Sequence, residues 1–111
     1  MAQRHVDQFY RMRALTEELG SESEHAMSAF FEFQDRVMAT GALSNHIKQL
    51  IALSAAIVLQ SDNCIDTYVH DALKAGATRN EILEAIGVAV LMGGAPAAAY
   101  GSAALEALNQ F

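Results

Sequence analysis

Residues 44–60 read SNHIKQLIALSAAIVLQ. Within them Ile47, Leu50, Ile51, Ser54, Ala55, Val58 and Leu59 recur at i, i+3, i+4 spacing, which lines them up along one side of a helix. Ala52, Leu53, Ala56 and Ile57 make the other side apolar as well. Ser44 suits the cap position, where a hydroxyl accepts from a free amide of the first turn. A helix apolar almost all round belongs in the interior of an assembly rather than on a wet surface. It is too short for a bilayer. Leu50–Leu59 is about half of the roughly 20 apolar residues a span needs, and Ser54 interrupts it.

The same period extends in both directions. A first helix is predicted from Val6 to about Leu19, with Phe9, Met12 and Leu15 as an apolar stripe and Gly20 as its stop. Ser21 to Glu24 is an acidic start for a second, running to about Ala39 and ended by Thr40-Gly41. Ser61-Asp62-Asn63 breaks the chain after the third helix, and Ser61 reads as a cap. A fourth helix follows from about Cys64 to Ala75, with Gly76 at its end. Thr78-Arg79-Asn80-Glu81 has the form of a capping box that opens a fifth helix running to about Met92. Gly93-Gly94-Ala95-Pro96 is the next break, and Pro96 suits the first turn of an alanine-rich sixth helix ending near Leu108. Nothing alternates as a strand does. The expectation is an all-α fold of about six helices in a single domain, residues 1–111.

Of the 111 residues 52% are hydrophobic and 18% charged. A short chain has much surface for its volume, so this balance leaves too few polar groups to cover it. Burial against further copies of the chain is the expected remedy. The formal charge is −6, and the seven Lys and Arg residues are scattered, which disfavours nucleic acid as a partner. The first seven residues are polar and contain no apolar signal core, so a cytoplasmic location is expected. Cys64 is the only cysteine, which excludes an internal disulfide and a thiolate metal cluster within one chain.

Residues 25–105 resemble the carboxymuconolactone decarboxylase family in its alkylhydroperoxidase D-like branch. The likeness is carried by His70-Asp71-Ala72-Leu73-Lys74-Ala75-Gly76-Ala77-Thr78, by Glu81-Ile82-Leu83-Glu84-Ala85, by Leu91-Met92-Gly93-Gly94-Ala95-Pro96 and by Gly41-Ala42-Leu43-Ser44 with Gln49 to Leu53. It implies an all-helical homo-oligomer, a trimer or a hexamer, with peroxiredoxin-like antioxidant or lactone decarboxylase activity and no cofactor. The redox branch uses a Glu, a Cys-x-x-Cys twelve residues on, and a His four residues after the second Cys. In this chain those positions hold Gln49, Ser61, Cys64 and Tyr68. A carboxamide cannot take up and return a proton as a carboxylate does. A serine cannot close a disulfide. A phenol, with a reference pKa near 10, is a poor base at neutral pH. The dithiol cycle is therefore not available to this chain.

Each remaining candidate has a bland reading beside a functional one. A lone cysteine is more often a small hydrophobe than a reactive thiol. Cys64 is expected to be partly buried at the start of the fourth helix, facing the third helix near Gln49. Gln49 and Tyr68 could hydrogen-bond across the two helices. His46 precedes Gln49 by three residues and could share its face. His70 lies six residues after Cys64, roughly 240° further round a helix, so the two do not pair. A structural or interface role suits it better. His5 and His25 read as solvated residues near helix ends. No metal-ligand spacing is present.

Three functions follow. The first is a family member without dithiol chemistry that binds a small molecule or a partner in a pocket lined by Gln49, Ser61, Cys64 and Tyr68. The second is a one-cysteine peroxidase, in which an external thiol reduces oxidised Cys64. The third is a cysteine-independent lactone decarboxylase, with Tyr68 or His46 as acid–base group.

Overall fold

The computed structural model describes residues 3–111; Met1 and Ala2, the start of the polar N-terminal stretch, lie outside it. Six helices follow one another: α1 Arg4–Glu22, α2 Glu24–Met38, α3 Asn45–Val58, α4 Asp62–Lys74, α5 Arg79–Gly93 and α6 Ala95–Gln110. No strand occurs among the described residues. None of their helices is long and apolar enough to cross a membrane.

The caps that the sequence announces are formed. Ser44 Oγ accepts from the Ile47 amide. At the start of α5, Thr78 Oγ1 accepts from the Glu81 amide while Glu81 Oε1 accepts from the Thr78 amide, so two free donors are satisfied at once. Helices α3 and α4 end alike. The amide three residues past each helix reaches back five residues, Ser61 to Ala56 and Ala77 to Ala72. This is the Schellman closure, which needs a left-handed residue just past the helix. Gly76 supplies it freely at α4. At α3 the residue is Gln60, held at φ 59°.

The core is built by α3, α4, α5 and α6 around Leu53, Ile57, Ile65, Val69, Ile82 and Ala104, all of them fully buried. α3 packs chiefly on α4 and α5, and α6 closes the group against α5 and α4. α1 lies across α4, α2 and α6. α2 is peripheral and has no buried residue.

One expectation is corrected here. α1 does not stop at Gly20 but runs to Glu22, with Ser23 alone separating it from α2. Gly20 serves packing instead: a Cβ there would meet the Phe31 ring at 3.0 Å, so the missing side chain lets α2 fold against α1. Within one chain α3 is covered on one side only. Gln49, Leu53, Ala56 and Ile57 are buried, while Ile47, Ile51, Val58 and Leu59 are exposed.

The α5–α6 corner is the tightest point of the fold. A Cβ on Gly93 would lie 2.5 Å from the Ala97 Cβ, an atom fixed to the backbone. Gly93→Ala is therefore expected to destabilise the protein by about 1–3 kcal/mol, the usual range for overpacking. Urea denaturation measures this, and an unchanged midpoint would contradict the close packing described.

Candidate functional site

Gln49 lines one of the cavities described below, and Ser61, Cys64 and Tyr68 line none of them. Gln49 is 8% exposed on the buried face of α3, and its Oε1 has no hydrogen-bond partner among the described residues. A buried acceptor left unpaired costs about 1–3 kcal/mol. The expected Gln49–Tyr68 hydrogen bond is thus not formed through that oxygen. Ser61 holds the N-cap position of α4, but its side chain makes no capping hydrogen bond. Cys64 is exposed in the first turn of α4, not partly buried against α3. One helical turn on, Tyr68 packs against the core. Burial pushes its phenol up from the ordinary value, and the neighbouring charges of Cys64 and Asp71 push the same way.

Gln49 instead lines a cleft of about 350 Å³ together with Gln34, Asp35, Met38, Ala39, Asn45 and Asp71. Asn45 is fixed there by donating from Nδ2 to the Met38 carbonyl at 2.8 Å. A second cavity of about 570 Å³ lies between α1, α2 and α4 and shares Gln34, Asp35 and Asp71 with the first. Its apolar wall is Phe9, Met12 and Phe31. His70 also lines it, with Nδ1 2.8 Å from Asp71 Oδ1 and the ring stacked on Phe9 at 4.1 Å. His70 is therefore a cavity residue held by a carboxylate. His46 turns elsewhere: its Nε2 lies 3.0 Å from Glu81 Oε1 and ties α3 to the capping box of α5. The amide of Thr78, first, and then His46 hold the Glu81 carboxyl below its ordinary value.

The most buried polar cluster was not legible in the sequence. His5 is 2% exposed, not solvated, and Asp66 on α4 is 1% exposed. His5 Nδ1 lies 2.5 Å from Asp66 Oδ1, and its Nε2 lies 2.7 Å from Oε1 of the exposed Glu106 on α6. The His5 amide donates to Gln110 Oε1 at 2.7 Å. With Glu106 ionised, Nε2 must donate to it, and one further proton lies between Nδ1 and Asp66. The buried His5–Asp66 pair then carries no net charge wherever that proton sits. Both ring nitrogens are occupied, so the imidazole has no lone pair to offer a metal. No group of three or more His, Cys, Asp or Glu side chains among the described residues could hold one. The partners of His5 lie 61 and 101 positions away, which hides them from any local pattern. The one available signal was the i, i+4 pairing of His5 with Phe9, both on the buried stripe of α1.

With the helices and both cavities placed, comparison with known proteins gives the class. The profile of the carboxymuconolactone decarboxylase family matches residues 24–107, and the chain belongs to that family. A crystal structure of a carboxymuconolactone decarboxylase family protein from Legionella pneumophila superposes with a TM-score of 0.94 at 31% identity, over 98% of this chain and 97% of that one. A family protein from Thermotoga maritima, for which a part in the antioxidative response has been suggested, superposes at 0.84 with 28% identity over 92% of this chain and 87% of its own. An uncharacterized cox-locus protein of Paracoccus denitrificans is 42% identical over 74% of each chain.

The His5–Asp66 pair generates a pH-dependent prediction. Burial above all pushes the Asp66 carboxyl up, against the hydrogen bond and charge of His5, which pull it down. A carboxyl raised in the folded state works against stability as pH climbs through the carboxylate range. His5→Leu strands that carboxyl and is expected to cost about 3–5 kcal/mol near neutral pH. The deficit should shrink toward about pH 4, where the carboxyl of the unfolded chain takes up its proton too and the buried one no longer costs stability. Adding Asp66→Leu should restore most of the loss at neutral pH. Chemical denaturation at the two pH values tests this, and a deficit independent of pH would contradict the buried pairing.

Proposed function

We propose that this protein is a homo-oligomeric member of its family that has lost the dithiol peroxidase cycle and uses the cleft beside Gln49 to bind a small molecule. The observation that carries the reading is that Gln49 lines a cleft whose lining does not include Cys64. Gln49 faces a cleft with Asp35 and Asp71, whereas Cys64, the only thiol, is exposed at the start of α4. A peroxidatic thiolate needs a proton acceptor within reach. Tyr68, with its phenol pushed up, cannot serve as one. The unchanged protein is expected to show no dithiol-dependent hydroperoxide turnover. Ser61→Cys alone should allow a disulfide without fast catalysis, and Gln49→Glu with Tyr68→His should be needed for rate. Turnover by the unchanged protein equal to that of the triple variant would sink this reading.

The exposure of Cys64 favours a second reading, a one-cysteine peroxidase. The antioxidative role suggested for the Thermotoga protein points the same way. The Cys64 thiolate would attack the hydroperoxide, forming a sulfenic acid and an alcohol. Two equivalents of external thiol would then regenerate the cysteine and release water. Stoichiometric peroxide followed by intact-mass measurement separates the two. Rapid gain of one oxygen at Cys64 supports the second, and an unchanged mass supports the first.

Assembly is proposed through the bare side of α3 and the adjoining face of α5. Ile51, Val58 and Leu59 are exposed, as are Val88, Leu91 and Met92 at 55%, 79% and 74%, and Val58, Leu59, Val88 and Met92 line one groove between the two helices. Monomers seldom leave so continuous an apolar patch in water. The occupant that fits an unbroken apolar face is a second copy of the same face, which a two-fold interface pairs with itself. Light scattering should show an oligomer at micromolar concentration, and Ile51→Glu with Leu91→Glu should yield a folded monomer. A monomeric unchanged protein would overturn the proposal.

A further inference from the structure

The two adjoining cavities differ in character along their length. One end is apolar, walled by Phe9, Met12 and Phe31. The other is acidic. The cleft beside Gln49 is lined by Asp35 and Asp71 and by no Lys, Arg or His. In the larger cavity the cations Arg13 and Lys74 are outnumbered by Glu17, Asp35 and Asp71, and Arg13 lies 3.7 Å from Glu17. Both carboxylates at the acidic end belong to both cavities, so they stand where the two meet. His70 occupies one oxygen of Asp71. A carboxylate has a second oxygen to offer. Gln49 adds an independent sign: it is 8% exposed, lines the same cleft, and its carboxamide oxygen has no partner among the described residues.

We propose that this cleft takes an amphipathic organic cation, with a primary ammonium at the Asp35–Asp71 end and an apolar ring or short chain between Phe9, Met12 and Phe31. The proposal rests on the reading of the cleft as a small-molecule site and names the chemical class of its ligand. A primary ammonium carries three N–H donors. Asp35, Asp71 and the Gln49 carboxamide oxygen are three acceptors, two of them charged. Phe9, Met12 and Phe31 supply apolar contact for the ring or chain at the other end. An anion of the same shape meets the carboxylates without a compensating cation at that end. The combined cavities have the size usual for small-molecule sites.

The test uses three probes of one shape on the full chain: 2-phenylethylamine, 2-phenylethanol and phenylacetate, titrated by calorimetry and by protein-observed NMR. The amine is expected to bind at least about tenfold more tightly than the alcohol, with phenylacetate weakest. Asp35→Asn with Asp71→Asn should remove that preference while the alcohol binds as before. Circular dichroism should show the double variant folded, since Asp35 is exposed and Asp71 half-buried. Phe31→Ala should weaken amine and alcohol alike. If alcohol or acid binds as tightly as the amine, or if the double variant keeps the preference, the cation assignment is wrong. Binding of any probe that Gln49→Leu abolishes would still leave the cleft a small-molecule site. No binding of the three overturns the cation assignment.

Discussion

α3 carries more apolar surface than the chain around it covers. Its inner face is sealed by α4 and α5 through Leu53, Ala56 and Ile57. Its outer face leaves Ile47, Ile51 and Val58 between 40% and 54% exposed. Each such side chain, once fully covered, contributes about 1.5–3 kcal/mol. α5 faces the same constraint, with Val88, Leu91 and Met92 outside and Ile82 and Ala89 inside. The two helices meet along a groove lined by Ser54, Ala55, Val58, Leu59, Val88, Ala89 and Met92. α6 is excused from the problem by its alanines, because Ala97, Ala104 and Ala107 bury completely without needing much cover.

The helices were legible because period and caps agree. Thr78 and Glu81 announce the start of α5 within four residues, and the structure realises both hydrogen bonds. Gly76 marks the end of α4 through the same local geometry. Gly20 was misread because its function is not local. The glycine that could end a helix is used to admit the ring of Phe31, eleven residues on, and no rule of periodicity reports that contact. His5 shows the same limit more sharply. Its placement depends on Asp66 and Glu106, two helices that meet α1 only after the chain has folded. α1 also precedes the segment matched by the family profile, so the family's words carry no information about it.

The candidate site was legible in composition and illegible in arrangement. That Gln49, Ser61 and Tyr68 cannot run a dithiol cycle follows from their functional groups alone. That Gln49 opens toward α2 while Cys64 faces solvent follows from which side of α3 and α4 each occupies. The neighbours that matter to Gln49 are Asp35 and Asp71, and neither belongs to the four positions of the redox motif. Asp71 stands next to His70, which the sequence reading assigned to structure. Their hydrogen bond makes the pair one wall of the larger cavity.

A tyrosine at position 68 responds to neighbouring charge in the opposite direction from a histidine. An imidazole beside a thiol takes up its proton and stabilises the thiolate that results. A phenol beside the same thiol gains nothing from that charge. Each negative neighbour makes its own ionisation harder, and here both Cys64 and Asp71 act against it, on top of burial. Tyr68 therefore holds its proton more firmly than an isolated phenol does. What the surroundings of Tyr68 favour is a neutral hydroxyl packed against the core, and that leaves the charged chemistry of this part of the fold to the carboxylates across the cleft.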